Sequence, residues 1–124
     1  MGKKRVLIVD DEEPIRLLVF SILGKDYIVI EASDGGEAIS VAHRQKPDLI
    51  LMDILMPRVD GYTACYRLKN DAVTKAIPVV MLTGVGFELN EKLSRQLGAD
   101  GYITKPFSPQ ELRDMIDKFL KSPN

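Results

Sequence analysis

The sequence predicts an α/β protein with a doubly wound, five-stranded parallel sheet flanked by five helices. Short aliphatic runs alternate with longer amphipathic ones along the chain, as expected for strands that alternate with crossover helices. The first, third and fourth aliphatic runs are almost wholly apolar, which is typical of parallel strands covered on both faces. A length of 124 residues allows one domain with its own core, so residues 1–124 are expected to form a single domain.

The strands are predicted from short aliphatic runs that end at polar or turn-forming residues. They are 5–9, 28–32, 48–52, 78–82 and 101–104. Successive parallel strands need a crossover connection, and each segment between these runs is long enough for a helix.

The first and last predicted helices each carry a stripe of apolar residues at helical spacing. The stripes are Ile15, Leu18, Val19, Ile22 and Leu23 in the first helix, and Leu112, Met115, Ile116, Phe119 and Leu120 in the last. Pro14 suits a first helical turn. Less regular patterns predict three further helices near 36–45, 61–69 and 87–97.

Several helix ends carry recognisable signals. Asp34-x-x-Glu37 and Ser108-Pro109-Gln110-Glu111 are both typical of capping boxes. Gly24, Gly98 and the pair Gly35-Gly36 are predicted to supply stops and turns.

The composition excludes several classes of protein. Hydrophobic residues make up 45% and charged residues 28% of the chain, and the formal net charge is -1, so no basic excess favours direct binding to nucleic acid. No apolar run approaches the ~20 residues of a membrane span, and no secretory signal precedes the first strand. The single cysteine, Cys65, forms no internal disulfide. A cytoplasmic location without membrane contact is therefore expected.

Polar residues stand directly after four of the predicted strands. They are Asp10-Asp11, Asp53, Thr83 and, one residue beyond the last strand, Lys105. Because ligand sites of open parallel sheets form outside the carboxyl ends of the strands, we expect these side chains to share one pocket. Three carboxylates and one ammonium would carry a charge that a divalent cation neutralises, and Mg²⁺ prefers such oxygen ligands. Taken singly, each has a structural explanation: Asp11 as an N-cap, Thr83 as a turn residue and Lys105 as a surface lysine.

Four segments in this order resemble a known family. The segments are Asp10-Asp11, Asp53-Ile54-Leu55-Met56-Pro57-Arg58-Val59-Asp60-Gly61, Leu82-Thr83-Gly84 and Lys105-Pro106-Phe107. Together they resemble the receiver domain of bacterial two-component response regulators over the whole chain. The resemblance implies a flavodoxin-like sheet of order 2-1-3-4-5. Chemotaxis-type single-domain regulators are the members nearest in extent, since no output domain is expected after the last helix.

The resemblance also implies roles in metal binding and phosphorylation. Asp53 would be the phosphoacceptor that attacks the phosphorus of a phosphohistidine. Asp11 would bind Mg²⁺ (or Mn²⁺) directly, Asp10 mainly through a water, and Asp53 and the backbone carbonyl of Leu55 would complete the set. The chain would then be a signalling switch that catalyses only its own phosphorylation and slow dephosphorylation, and no turnover enzyme.

Other residues are assigned to the response. Thr83 would bond a phosphoryl oxygen, and Lys105 would pair with the phosphoacceptor and then with the phosphoryl group. Tyr102 would swing inward as Thr83 moves, and this would reshape the surface of the fourth helix, fifth strand and fifth helix. Pro57 and Gly61 would shape the turn after the phosphoacceptor, and a cis peptide before Pro106 would aim Lys105 inward.

The sequence departs from the family pattern in two places. Gly84 stands where alanine is usual in the family, so the backbone of the following loop has unusual conformational freedom. The start of the fourth helix is therefore hard to predict from the sequence. Leu55 and Val85 are apolar where polar groups can place an attacking water, so slow autodephosphorylation is predicted.

The implied partners are a sensor histidine kinase or phosphotransfer protein, and a downstream protein or output domain. Whether phosphorylation drives a homodimer stays open, as does the choice between a free-standing regulator and part of a transcription factor or hybrid kinase. A haloacid-dehalogenase-type phosphatase would need an acid at Leu55. A flavin or nucleotide binder would need a glycine- or hydroxyl-rich first loop, where this chain has the acidic run 10–13.

Overall fold

The computed structural model describes residues 2–84 and 88–121. Its strands are β1 (Arg5–Val9), β2 (Ile28–Ala32), β3 (Leu49–Asp53), β4 (Val79–Thr83) and β5 (Gly101–Thr104). Its helices are α1 (Glu13–Leu23), α2 (Gly35–Gln45), α3 (Gly61–Lys69), α4 (Glu88–Gln96) and α5 (Pro109–Leu120). All strand pairs are parallel and the sheet order is β2-β1-β3-β4-β5, which confirms the predicted fold.

Strands β3 and β4 begin and end one residue later than predicted. Pro78 has no N–H to give to a sheet ladder. Asp48 donates its N–H to the Arg5 carbonyl (2.8 Å), but the return bond from the Arg5 N–H goes to the Asp48 side chain (2.8 Å) and not to a backbone carbonyl. At the other end, Asp53 pairs with Leu82 and Thr83 pairs with Thr104. Asp53 and Thr83 therefore occupy the last rungs of the sheet, where backbone pairing holds them more firmly than a loop would.

The helix starts follow the predicted signals only in part. Ser108 and Glu111 form a complete capping box at α5. At α2, Asp34 accepts from the Glu37 N–H (2.8 Å), but the Glu37 carboxylate binds the N–H of Ser33 (2.6 Å), so the predicted box is half correct. The N-cap residue of α1 is Glu12 and makes no side-chain cap, so a capping role for Asp11 is wrong.

The predicted turn glycines have different structural roles. Gly24 is the C-cap of α1, and Gly98, with φ of 96°, turns the chain after α4. Gly35 lies inside the first turn of α2, where a Cβ would stand 2.4 Å from the Val59 carbonyl oxygen, so close packing and not a helix stop requires it. The predicted start of α4 at Phe87 lies outside the described residues.

The sheet separates two apolar cores. Alternate residues of β1, β3 and β4 point to opposite faces, so Ile8 and Leu51 pack with α1 and α5 whereas Leu7 and Met52 pack with α2 and α3. Residues of β3 and β4 are buried throughout, as expected for strands covered on both faces. Among the described residues, none of the helices combines the length and apolar character that a bilayer crossing requires.

Candidate functional site

Lys105 joins two buried carboxylates at the carboxyl edge of the sheet. Its Nζ lies 2.9 Å from Asp10 Oδ2 and 3.0 Å from Asp53 Oδ1. Asp10 is fully buried and Asp53 is 7% exposed. The structure therefore brings three of the predicted site residues into direct contact.

The strand order explains how residues so far apart in sequence meet. Asp10 follows β1 and Asp53 ends β3, and these strands are neighbours with Val9 opposite Met52. Lys105 follows β5, at the far side of β4, and its N–H donates to the Thr83 carbonyl (2.6 Å). The Lys105–Pro106 peptide is cis, as the family resemblance implies. The long lysine side chain crosses the end of β4 to reach both acids.

Burial and charge act against each other in this cluster. Desolvation raises the pKa of Asp53, and the neighbouring Asp10 carboxylate raises it further, while Lys105 and the Ile54 N–H lower it. Desolvation also lowers the pKa of Lys105, but its hydrogen bonds to Asp10 and Asp53 and its charge attraction to them together outweigh this, so the pKa is raised. One ammonium thus serves two buried carboxyl groups.

An acidic turn, defined here as Asp10, Asp11 and Glu12, lies beside this cluster. One carboxylate oxygen from each residue can be chosen so that all lie within 4.8 Å of one another. The buried Asp10 accepts through Oδ1 from the Glu12 N–H (2.9 Å), while Asp11 and Glu12 are exposed. Oxygen-only donors that adjoin solvent suit Mg²⁺, which keeps several waters and uses one or two carboxylates. The residues present therefore fit a hard divalent cation.

The acidic turn overlaps the predicted ligand set in two residues. It contains the predicted ligands Asp10 and Asp11, and the roles of Asp53 and of the Leu55 backbone carbonyl stay predictions. Glu12 is an addition that the sequence reasoning missed. The signal was the uninterrupted acidic run 10–13, which we considered only as a surface that repels phosphate.

The loop after Asp53 is held by backbone contacts that require Gly61. The Gly61 N–H donates to the Ile54 carbonyl (2.8 Å), and a Cβ at Gly61 would lie 2.1 Å from the Asp53 carbonyl oxygen. Asp60 caps α3 by accepting from the Thr63 N–H (2.8 Å). Between them the chain passes through Arg58 in a left-handed conformation with φ of 65°. The Asp-Gly pair of the motif thus closes the loop that carries Pro57 and Leu55. Leu55 is 82% exposed.

Thr83 and Tyr102 lie on the same face of the sheet. Met81 pairs with Tyr102 and Thr83 pairs with Thr104, and alternate residues of a strand share a face. The hydroxyl of Thr83, a residue 3% exposed, donates to the Gly84 carbonyl (3.0 Å). Tyr102 is half-buried, with the Arg95 guanidinium 5.8 Å from its ring centre.

Val85, which was predicted to exclude water from the site together with Leu55, lies outside the described residues.

Arg16 is a contact of the site that the sequence reasoning did not include. Its Nη1 donates to the Asp10 carbonyl oxygen (2.6 Å) and its Nε to Glu31 Oε1 (3.0 Å). The Arg16 side chain is 15% exposed. No local signal would have revealed it, because Glu31 is on β2 and meets Arg16 only after the sheet has formed.

Comparisons with known proteins match most of this chain. The family model described as the response regulator receiver domain matches residues 6–117. The alkaline phosphatase synthesis transcriptional regulatory protein PhoP of Bacillus subtilis is 42% identical over 119 residues, which are 95% of this chain and 49% of that protein. The chain spans about half the length of the curated relatives that it matches first.

Solved structures give the same result. The chemotaxis protein CheY4 of Vibrio cholerae has a TM-score of 0.90 at 31% identity, covering 96% of this chain and 100% of that one. The receiver domain of the sensor histidine kinase PA1611 of Pseudomonas aeruginosa has a TM-score of 0.89 at 28% identity, covering 98% of this chain and 100% of that one. The latter structure carries a magnesium ion coordinated in its active-site cleft.

Proposed function

The chain belongs to the response regulator receiver family, and on this premise we propose that it is a switch phosphorylated by a histidine kinase at Asp53. The observation that carries the proposal is the bridge from Lys105 to the buried carboxylates of Asp10 and Asp53. The acidic turn beside this bridge supplies the oxygens for a divalent cation, as the family requires.

Asp53 acts as the nucleophile. Lys105 binds Oδ1, so we assign the attack on phosphorus to Oδ2. A P–O bond forms as the P–N bond of the phosphohistidine breaks, and the leaving imidazole nitrogen keeps the bonding electrons and takes up a proton. The Lys105 ammonium stabilises charge on the transferring oxygens, and the Thr83 hydroxyl bonds one of them.

The metal would be held by Asp10, Asp11, Asp53 and the carbonyl of Leu55, with Glu12 beside them. A bound Mg²⁺ supplies charge neutralisation between the carboxylates and the phosphoryl group. The buried Asp10 keeps its orientation through bonds to Glu12 and Lys105, so the site is arranged before any ligand arrives.

Phosphorylation would change the surface around β5. The product at Asp53 carries about one further negative charge and three acceptor oxygens, which draw the Thr83 hydroxyl away from the Gly84 carbonyl. Tyr102 shares the face of Thr83 and follows it inward, so α4, β5 and α5 present a new surface to a downstream protein or output domain. The names of relatives such as PhoP, a transcriptional regulatory protein, favour a transcriptional output.

The test is incubation with Mg²⁺ and acetyl phosphate, followed by intact mass spectrometry. We expect a gain of one phosphoryl group in the wild-type chain, lost on addition of EDTA and lost in Asp53→Asn. Asp114→Asn, which alters an exposed carboxylate on α5, should behave as wild type. No mass gain with any small phosphodonor, or an equal gain in Asp53→Asn, would contradict the proposal.

A further inference from the structure

We propose that Arg16 is a positioning residue for the cation site: its bond to the Asp10 carbonyl sets the shape of the acidic turn and so the affinity for Mg²⁺. This inference rests on the proposed function, because it concerns the metal of that same site. It assigns a role in metal binding to a residue outside the four family motifs.

The contacts of Asp10 show what Arg16 contributes. The Asp10 N–H donates to the Ala32 carbonyl (3.2 Å), Oδ1 accepts from the Glu12 N–H (2.9 Å) and Oδ2 accepts from Lys105 (2.9 Å). The remaining polar atom, the carbonyl oxygen, accepts from Arg16 Nη1 (2.6 Å). That carbonyl belongs to the peptide that leads into Asp11, so its orientation fixes where the chain turns into the exposed acids.

Arg16 is itself held rigidly. Its Nε binds Glu31 on β2 (3.0 Å), and its side chain is 15% exposed. An arginine fork held at a second point loses little further freedom when it donates to a carbonyl. The acidic turn is thereby fastened to both α1 and the edge of the sheet.

Arg16 also carries a positive charge, which opposes cation binding. The Glu31 carboxylate offsets that charge, although Glu31 is 51% exposed and its effect is screened. The two effects predict opposite results on removal of the arginine. If positioning dominates, metal affinity falls; if repulsion dominates, metal affinity rises.

The test is isothermal titration of MgCl₂ into the unphosphorylated wild type, Arg16→Lys and Arg16→Met. Mutation of a residue that orients metal ligands typically weakens metal affinity by about 10- to 100-fold. We therefore expect both variants to bind Mg²⁺ roughly tenfold more weakly than the wild type. Arg16→Lys is the decisive variant, because it keeps the charge and loses the fork that reaches both oxygens. A lysine does not donate in two fixed directions.

Arg5→Met is the matched control. Arg5 also binds a backbone carbonyl, that of Gln45 (2.5 Å), and a side-chain oxygen of the same residue (2.6 Å), but at the start of β1. Arg5→Met should lose about as much thermal stability as Arg16→Met, measured by circular dichroism, and its Kd for Mg²⁺ should equal that of the wild type. This separates positioning of the metal site from a general effect on folding.

Each outcome decides the matter. An unchanged or tighter Kd in Arg16→Lys, or a Kd equally weakened in Arg5→Met, would overturn the role of Arg16 and leave the proposed function standing. Absence of Mg²⁺ binding in the wild type would overturn the proposed function itself. If Arg16→Met does not fold, Arg16→Lys alone gives the answer.

Discussion

Replacement of Lys105 by methionine is expected to destabilise the chain because it leaves two buried carboxylates without their cation. Lys105 makes hydrogen bonds of 2.9 Å and 3.0 Å to Asp10 and Asp53, which are 0% and 7% exposed. Methionine matches the length and apolar stem of lysine, so the change removes charge and hydrogen bonds with little loss of packing.

The size of the expected loss of unfolding free energy follows from the burial of the two carboxylates. Breaking a buried ion pair by removal of one partner typically costs about 3–5 kcal/mol, much of it from the stranded charge. The Lys105 side chain is 21% exposed, so water reaches part of the cluster and reduces the cost. We expect a loss near the lower end, about 3 kcal/mol of unfolding free energy. With a urea m-value of about 1.5 kcal/mol/M, the midpoint would fall by roughly 2 M.

The assay is urea unfolding followed by far-UV circular dichroism, since the chain has no tryptophan. Adding Asp53→Asn to Lys105→Met removes one stranded carboxylate and should recover roughly half of the loss, a coupling that independent sites do not show. Lys69→Met is the control: Lys69 binds Asp100 (2.8 Å) and the Ile77 carbonyl (3.0 Å) with 15% exposure, far from Asp53. Adding Asp53→Asn to Lys69→Met should recover none of the unfolding free energy that Lys69→Met loses.

Two results would contradict this account of the Lys105 cluster. Unfolding of Lys105→Met at the wild-type urea concentration would mean that the buried acids do not depend on the lysine. Equal recovery of stability by Asp53→Asn in Lys69→Met and in Lys105→Met would mean that the recovery is unrelated to the stranded charge.

Three further predictions concern the loops and the core. Gly61→Ala should cost about 2–3 kcal/mol by urea unfolding and slow phosphorylation by acetyl phosphate, because its Cβ would lie 2.1 Å from the Asp53 carbonyl oxygen at the end of β3. Gly84→Ala, where a Cβ meets no described residue within 4 Å, should leave stability unchanged or raise it; equal losses in both variants would contradict the packing argument. Burial raises the pKa of the Cys65 thiol to about 11, so the folded chain at pH 8 should not react with a disulfide reagent until urea unfolds it, and rapid native reaction would disprove this. Leu55→Asn with Val85→Glu should shorten the phosphoryl half-life measured by intact mass, and an unchanged half-life would remove the water-exclusion hypothesis.

The fold was predictable because its determinants are local and repetitive. Aliphatic runs separated by amphipathic helices leave few arrangements other than a doubly wound sheet, and the capping signal at Ser108 needs only the four residues that form it. The shifted bounds of β3 and β4 depend on pairing instead: Asp53 belongs to the strand because Leu82 lies opposite it. Propensity alone does not reveal that partner.

The site was predictable at the level of which side chains meet, but not of how they bond. Strand ends predict that Asp10, Asp53 and Lys105 share an edge, yet not that one ammonium bridges both acids. Glu12 and Arg16 were missed for a common reason. Their roles depend on the path of the backbone between β1 and α1, and on a β2 partner that is distant in sequence.

The charges at the carboxyl edge of the sheet indicate that metal binding and phosphorylation are coupled. The acidic turn and Asp53 present four carboxylates, and Lys105 binds two of them. If Asp53 takes up a phosphoryl group as we propose, about one more negative charge enters a pocket whose single lysine is already shared. Lys105 must then turn toward the phosphoryl oxygens, which deprives the fully buried Asp10 of its cation. We expect a divalent cation at the acidic turn to offset that loss, so the cation that we propose for phosphoryl transfer would also stabilise the phosphorylated fold.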